Sequence, residues 1–478
     1  LLDRIEKIEI NKDSHPFATA SGKLDFEKNG YIEEEFYMHG AANIYKEDDK
    51  KKAVIQHSDI PYCNRFIVRR PKELSKFSGN VFVEILNATA RMDIDRIWVS
   101  CNRQFMWDND IYIGITSKPD VLDALLAFDE KRYAKLNWQY PFTRDTDKTA
   151  NRNHVIYPVH PECETGLFWD MLTDMALLIR QWAEKEGISE RVCCYLTGWS
   201  QSVSYLLTYI RYFSFLKPFS RDTGAFDGYF AAGGVNSLKI PLNQDGFYEL
   251  SMDYVNPGIV YMPVPYIAVQ TESENAHFGG YEARQDDSDR KDLLYRCYEI
   301  SGSTHDTKAT LLDYYKNDKD VKKIGMTPRY MGQELYPNDY DYSYVFGALI
   351  YHLKAWVREG ILPPKAERIL TDKELNNRTD RFGNATGGVR TPFIDVPTRT
   401  YCNFSFFNNS KDKNMLFGNV KPFSKELLKS LYGGIDRYGE LIKDASSKCI
   451  EEGFLLPEDK ELLIAEALRM YKEIEEAN

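Results

Sequence analysis

The chain has 478 residues, 43% of them hydrophobic and 28% charged, the balance of an ordinary folded protein. Aromatic residues make up 14%, with 32 Tyr and 26 Phe, which argues for large cores and against disorder. A formal net charge of −11 argues against a sequence-blind nucleic-acid binder, and no apolar run is long enough to span a bilayer, so neither a nucleic acid nor a membrane is an expected partner.

No charged-then-apolar leader follows Leu1, and the absence of an initiator Met leaves room for a removed signal peptide. The eight cysteines include an adjacent pair, Cys193-Cys194, inside an apolar run, and none forms a C-x-x-C. Reduced, buried thiols and a cytoplasmic location are the reading.

Residues 1–70 read as short strands with polar breaks, a β-rich segment packed on the core: Lys7–Ile10, Gly30–Gly40 and Cys63–Arg70. The last alternates apolar and polar residues, which predicts an antiparallel strand with one wet face. A core of alternating strands and helices is expected over 71–360. Val81–Leu86 and Ile111–Thr116 are apolar strands. Leu167–Lys185 carries a helical stripe (Met171, Leu172, Met175, Leu178, Ile179, Trp182), and Gly187 ends it. Strands follow at Val192–Leu196, Phe226–Ala232 and Pro265–Gln270, and a helix over 342–358. Such alternation indicates a mostly parallel sheet covered on both faces. Residues 361–478 contain a Gly/Pro-rich stretch, Phe382–Pro397, and two helices near the end; they read as an extension and a candidate cap over the pocket.

Chemistry concentrates at Gly198-Trp199-Ser200-Gln201-Ser202, between an apolar strand and a helix opening. A serine on a sharp strand-to-helix turn is the G-x-S-x-G nucleophile elbow, with Ser202 here in the second small position. An acyl-transfer triad then needs an acid and a histidine later in the chain. Five histidines precede Ser200, His277 follows the acid strand too closely, and His352 lies inside a helix. His305, after a short strand and a small-residue loop, remains. The acid should follow Pro265–Gln270, where Thr271-Glu272-Ser273-Glu274 offers two carboxylates. A small-x-x-acid turn favours Glu274, with Glu272 the competitor, and Asp286, Asp287 and Asp289 read as a solvated run. The oxyanion hole needs two backbone N–H donors, one from Gln201 and one from Asn87 or Ala88 after Val81–Leu86. Trp199 is expected to line or abut the substrate pocket, with packing beneath the turn as the alternative.

These residues carry a resemblance. Val83-Glu84-Ile85-Leu86-Asn87, Gly198–Ser202, Gln270–Glu274, Ala283-Arg284-Gln285, Tyr298–His305 and Gly383–Pro392 resemble the large bacterial alpha/beta hydrolase domain-containing proteins, across roughly residues 30–405. Trp199 departs from the polar or acidic residue typical of that family. The resemblance implies an α/β-hydrolase fold and a serine hydrolase, and says little about substrate.

No H-x-x-x-H, no cysteine pair at zinc spacing and no G-x-G-x-x-G after a strand is present, so no metal or cofactor is expected. The leading expectation is hydrolysis of a small-molecule carboxylic ester through an acyl-enzyme. An acyltransferase or amidase/peptidase on the same triad, and a non-catalytic binding protein on this fold, are the alternatives.

Overall fold

The structure, a computed structural model, describes residues 2–17, 24–144, 158–235, 240–248, 258–313, 318–325, 336–407 and 411–477. The chain divides into two compact units. The first comprises Leu1–Tyr266, Arg290–Leu294 and Asn317–Thr327, and the second Ile267–Asp289, Tyr295–Lys316 and Pro328–Asn478.

In the first unit, β1 (Leu2–Ile8), β2 (Tyr31–Glu47), β3 (Ala53–Pro71), β4 (Asn80–Ile85), β5 (Ile111–Ile115), β6 (Cys193–Trp199) and β7 (Gly228–Ala232) lie in the order β1-β2-β3-β5-β4-β6-β7, followed by the start of β8 (Met262–Thr271). The β1–β2, β2–β3 and β3–β5 pairs are antiparallel. From β5 through β4 and β6 to β7 every pair is parallel. Helices Arg96–Asp108, Phe168–Lys185 and Gln201–Tyr209 supply crossovers that parallel pairing requires. Strands β4, β5 and β7 are buried at every residue, the signature of a sheet covered on both sides. Residues 1–70 enter this same sheet, because β3 pairs directly with β5.

The expected wet face of β3 is not there. Arg65 and Arg69 are fully buried. Arg65 pairs with Glu35 at 2.6 Å and Asp93 at 3.2 Å, and Arg69 with Asp95 at 2.5 Å and Glu33 at 2.8 Å. Carboxylates from β2 and the loop after β4 replace the water these guanidinium groups would otherwise require.

The second unit takes up the end of β8, with β10 (Leu293–Ile300) beside it and β9 (Ser288–Arg290) beyond. No boundary falls at residue 360: helix Ser343–Glu359 and the chain after it belong to this one unit. Three helices, not two, close the chain: Lys425–Tyr432, Ile435–Glu451 and Lys460–Glu476. The Gly/Pro-rich stretch attaches to the end of β10 through Val389 N–H to Glu299 O (2.7 Å) and Ser301 N–H to Val389 O (3.1 Å). Of the three aspartates read as a solvated run, Asp286 and Asp289 are exposed and Asp287 is half-buried. Asp287 pairs with Arg368 at 2.8 Å, and Asp289 with the buried Arg296 at 2.5 Å.

No disulfide links any of the eight cysteines. Among the described residues, no helix is long and apolar enough to cross a membrane.

Candidate active site

The first unit presents Ser200 at the end of β6, at φ 58° and ψ −120°. A residue with a Cβ rarely holds this conformation, and it persists only where neighbours enforce it. Ser200 N–H donates to Ala232 O on β7 (2.9 Å), and Ser200 O accepts from Val203 N–H (2.9 Å). Asn87 Nδ2 donates to Trp199 O at 2.9 Å, tying the loop after β4 to the elbow. Shape does the rest. A Cβ at Gly198 would lie 3.0–3.1 Å from Ser202 atoms, and one at Gly234 would stand 2.7 Å from Val203 Cβ and 2.9 Å from Ser200 O. The sequence reading missed Gly234; its signal is a Gly233-Gly234 pair directly after a buried strand.

The loop Asn87–Asp95 is braced at both ends. Asn87 exchanges backbone hydrogen bonds with Ile94, 3.0 Å each way. Its N–H is therefore taken, which removes Asn87 as an oxyanion donor. Its side chain braces instead, accepting from Thr89 N–H (2.9 Å) while donating to Trp199 O. The N–H groups of Ala88 and Gln201 donate to no acceptor among the described residues. Gln201 opens its helix, where the first N–H groups have no intrahelical acceptor. At the other end, the buried Glu84 accepts from Ile97 N–H (2.8 Å), Trp98 N–H (3.1 Å) and Tyr112 OH (2.7 Å). Burial, reinforced by the nearby Asp95, pushes its carboxyl up to about 8.

Trp199 is 3% exposed. The Arg96 guanidinium lies over its ring at 5.0 Å, and a Cβ on Gly233 would come within 2.6 Å of the indole. The indole is thus packed in, not spread along an open wall.

The second unit presents His305 and both glutamates. β8 ends at Thr271, the N-cap of helix Glu272–His277, in a capping box with Glu274. Glu274 Oε2 accepts from Thr271 N–H (2.6 Å) and Thr271 Oγ1 (2.7 Å), while Oε1 lies 2.5 Å from His305 Nδ1. Burial works to raise the Glu274 carboxyl, but the bond and charge of His305 and the two Thr271 donors outweigh it and hold it below the ordinary range. An ionised carboxylate on Nδ1 keeps the proton there and leaves Nε2 as the acceptor nitrogen.

Glu272 makes no bond to that ring. Its Oε1 accepts from Gly302 N–H (2.5 Å), and Oε2 from Asn377 Nδ2 (2.8 Å) and Asn403 Nδ2 (3.4 Å). Burial pushes its carboxyl up to about 7. Glu272 N–H to Ser303 O (3.2 Å) and His305 N–H to Ser273 Oγ (3.2 Å) complete the stitching of the acid loop to the histidine loop. Asn377 and Asn403 escaped the sequence reading, since nothing local marks residues more than 100 positions away from their partner.

The structure therefore brings Ser200, Gln201, Asn87, Ala88 and Trp199 together in one unit, and Glu272, Glu274 and His305 together in the other. Among the described residues, no group of three or more His, Cys, Asp or Glu could hold a metal ion.

The family model described as an alpha/beta hydrolase domain matches residues 5–465. The chain belongs to the alpha/beta hydrolase domain family. An esterase from the fungus Rhizomucor miehei is 10% identical, over 73% of this chain and 95% of its own, with a TM-score of 0.31. An S-formylglutathione hydrolase from Agrobacterium tumefaciens is 10% identical, over 58% and 88%, at 0.30. A lipase/esterase from Lactobacillus plantarum is 11% identical, over 50% and 85%, at 0.27. Likeness this low carries nothing about substrate. No match is found among the curated proteins.

Proposed function

We propose that this alpha/beta hydrolase is a serine esterase cleaving small-molecule carboxylic esters through an acyl-enzyme. Ser200 Oγ attacks the ester carbonyl, and His305 Nε2 takes its proton and returns it to the leaving alcohol. Glu274 holds the imidazole in the Nδ1–H tautomer and stabilises the imidazolium. The N–H groups of Gln201 and Ala88 stabilise the tetrahedral oxyanion, where one donor is worth about 10²–10³ in rate. Water then releases the acid, with His305 as base again.

The observation that carries this reading is the backbone of Ser200, held at φ 58° by small neighbours and an asparagine brace. Such strain is built where a side chain must stand proud of its turn. The second support is the His305–Glu274 pair, oriented before any substrate arrives. Labelling with a fluorophosphonate, followed by peptide mapping, tests it together with turnover of 4-nitrophenyl esters. A phosphonylated Ser200 and measurable turnover are expected. An unlabelled protein, or a label elsewhere, overturns the assignment.

A further inference from the structure

β10 ends at Ile300, and His305 stands beyond it in turn and loop. What holds that loop decides where the ring sits. Glu272 takes the N–H of Gly302 at 2.5 Å. The other side of the same residue is held as well: Gly302 O accepts from Asn338 Nδ2 at 3.0 Å. At His305 itself, the N–H donates to Ser273 Oγ (3.2 Å) and the carbonyl accepts from Tyr342 OH (3.3 Å). Asn338 and Tyr342 both lie in the segment that leads into helix Ser343–Glu359. They grip the carbonyls at the two ends of Gly302–His305.

Asn338 is fully buried. Its Oδ1 accepts from Tyr340 N–H (3.0 Å), which fixes the amide and aims Nδ2 at Gly302 O. Its own N–H donates to Gly418 O (3.0 Å), and its carbonyl accepts from Lys308 N–H (2.6 Å). The asparagine thus ties the chain before His305 to the chain after it. Shape locks the same point. Gly302 has φ 81°, and a Cβ there would lie 2.3 Å from Ile394 Cδ1. The peptide planes on either side of Gly302 cannot swing without breaking a buried hydrogen bond. None of these bonds reaches the imidazole, whose Nδ1 belongs to Glu274. Glu274 sets which nitrogen carries the proton; the backbone clamp sets where the ring is. A misplacement of about 1 Å costs on the order of 10²-fold in rate.

We infer that Asn338 and Tyr342 are positioning residues, which clamp the loop Gly302–His305 at both carbonyls and so fix the place of the base. The effect on turnover rests on the esterase reading; the clamp itself does not.

The test uses the full chain as the parent, Asn338→Ala and Tyr342→Phe, with a 4-nitrophenyl ester as substrate and a fluorophosphonate to titrate active sites. Asn338→Ala should lower kcat per titrated site about 10–100-fold and leave KM little changed. Tyr342→Phe keeps its ring stacked on Phe346 and loses one hydroxyl, so the fall should be about 2–10-fold. Labelling should be slower in both variants but reach the parent's stoichiometry. Purely structural residues give the reverse, fewer titrated sites that each turn over at the parent's rate, and a parent-like kcat per site in either variant overturns the inference. If Asn338→Ala yields no folded protein, Tyr342→Phe decides by the same two outcomes. If the parent neither labels nor hydrolyses, the esterase reading fails separately, and the clamp is read from the His305 Nδ1–H proton resonance, identified by its loss in His305→Gln. A shifted or broadened resonance in both variants upholds the clamp, and an unmoved one in either overturns it.

Discussion

Ser200 and His305 belong to different compact units, and each unit holds its residue by different means. The serine is held by shape. Its backbone is bent at φ 58°, and Gly198 and Gly234 are small because larger residues would strike Ser202, Val203 or the backbone of Ser200 itself. The histidine is held by charge and hydrogen bonds. Glu274 grips its ring and Glu272 grips the loop that carries it, and both carboxylates are buried. The first arrangement is sensitive to volume and indifferent to pH. The second is sensitive to protonation. Substitutions that change one property at a time should separate the two.

The largest effect should come from removing the nucleophile. Ser200→Ala should cut ester turnover by about 10⁴–10⁶ and abolish fluorophosphonate labelling, and His305→Ala should be of similar severity, because triad members act as a unit. The Ser200→Ala melt should stay near the parent, whereas His305→Ala should melt lower, because it leaves the buried Glu274 carboxylate without its ring partner. Near-normal turnover in either would remove that residue from the mechanism.

Next in size is the contrast between the two glutamates. Glu274→Gln should cost about 10³–10⁴ in kcat, since an amide no longer enforces the Nδ1–H tautomer. Glu272→Gln keeps one acceptor oxygen, for Gly302 N–H, and turns an NH2 toward Asn377 and Asn403, whose amides can flip to accept from it; it should cost no more than about 10-fold. A reversal of this order in steady-state kinetics would assign the triad acid to Glu272.

The same two residues give opposite pH signatures of stability. Glu272 has a folded pKa raised to about 7, so the folded state holds an extra proton between the ordinary carboxyl range and pH 7. Its contribution to stability is therefore lost as pH rises through that window. Glu274 is depressed, so its contribution is present at neutral pH and is lost as pH falls through its folded pKa. Between pH 5 and 8, the unfolding free energy of Glu272→Gln should gain on the parent by roughly 2–3 kcal/mol. A pH-independent difference between the two proteins would show that Glu272 is ionised in the fold.

How legible this was in the sequence depends on whether the cause is local. The parallel strands could be read because a strand buried on both faces is a continuous apolar run, as in β4 and β5. Glu274 could be favoured because Thr-x-x-Glu is a capping box written in four adjacent residues. The wet face of β3 was misread because Arg65 and Arg69 look the same in sequence whether water or Glu35 and Asp95 surrounds them. The choice between Asn87 and Ala88 as N–H donor stayed open because the Asn87 bond to Ile94 depends on how a loop closes. Gly234 went unnoticed for the same reason: its size matters only against Val203 and Ser200, which the chain reaches by folding.

On the shape-held side, Gly234→Ala should destabilise by about 1–3 kcal/mol through overpacking and lower kcat as well, since the added Cβ presses on Ser200 O as well as Val203. Unlike the glutamate variants, its relative activity should be flat across pH 5–8. A pH-dependent defect would mean that the elbow, too, is tuned by a titrating group.

Trp199 offers the smallest and most discriminating change. Its indole is buried at 3% exposure, with Arg96 over its ring and Gly233 against it, and we propose that the side chain works as a filler. Trp199→Phe keeps an aromatic face for the guanidinium and loses part of the buried area, a cost of about 1 kcal/mol. A filler sets how firmly Ser200 is seated, which affects all substrates alike. A pocket wall sets which acyl chains fit, which affects them unequally. Across 4-nitrophenyl esters of increasing acyl length, Trp199→Phe should lower the melting temperature slightly and leave the rank order of kcat/KM intact. A reordered series would return Trp199 to the substrate pocket.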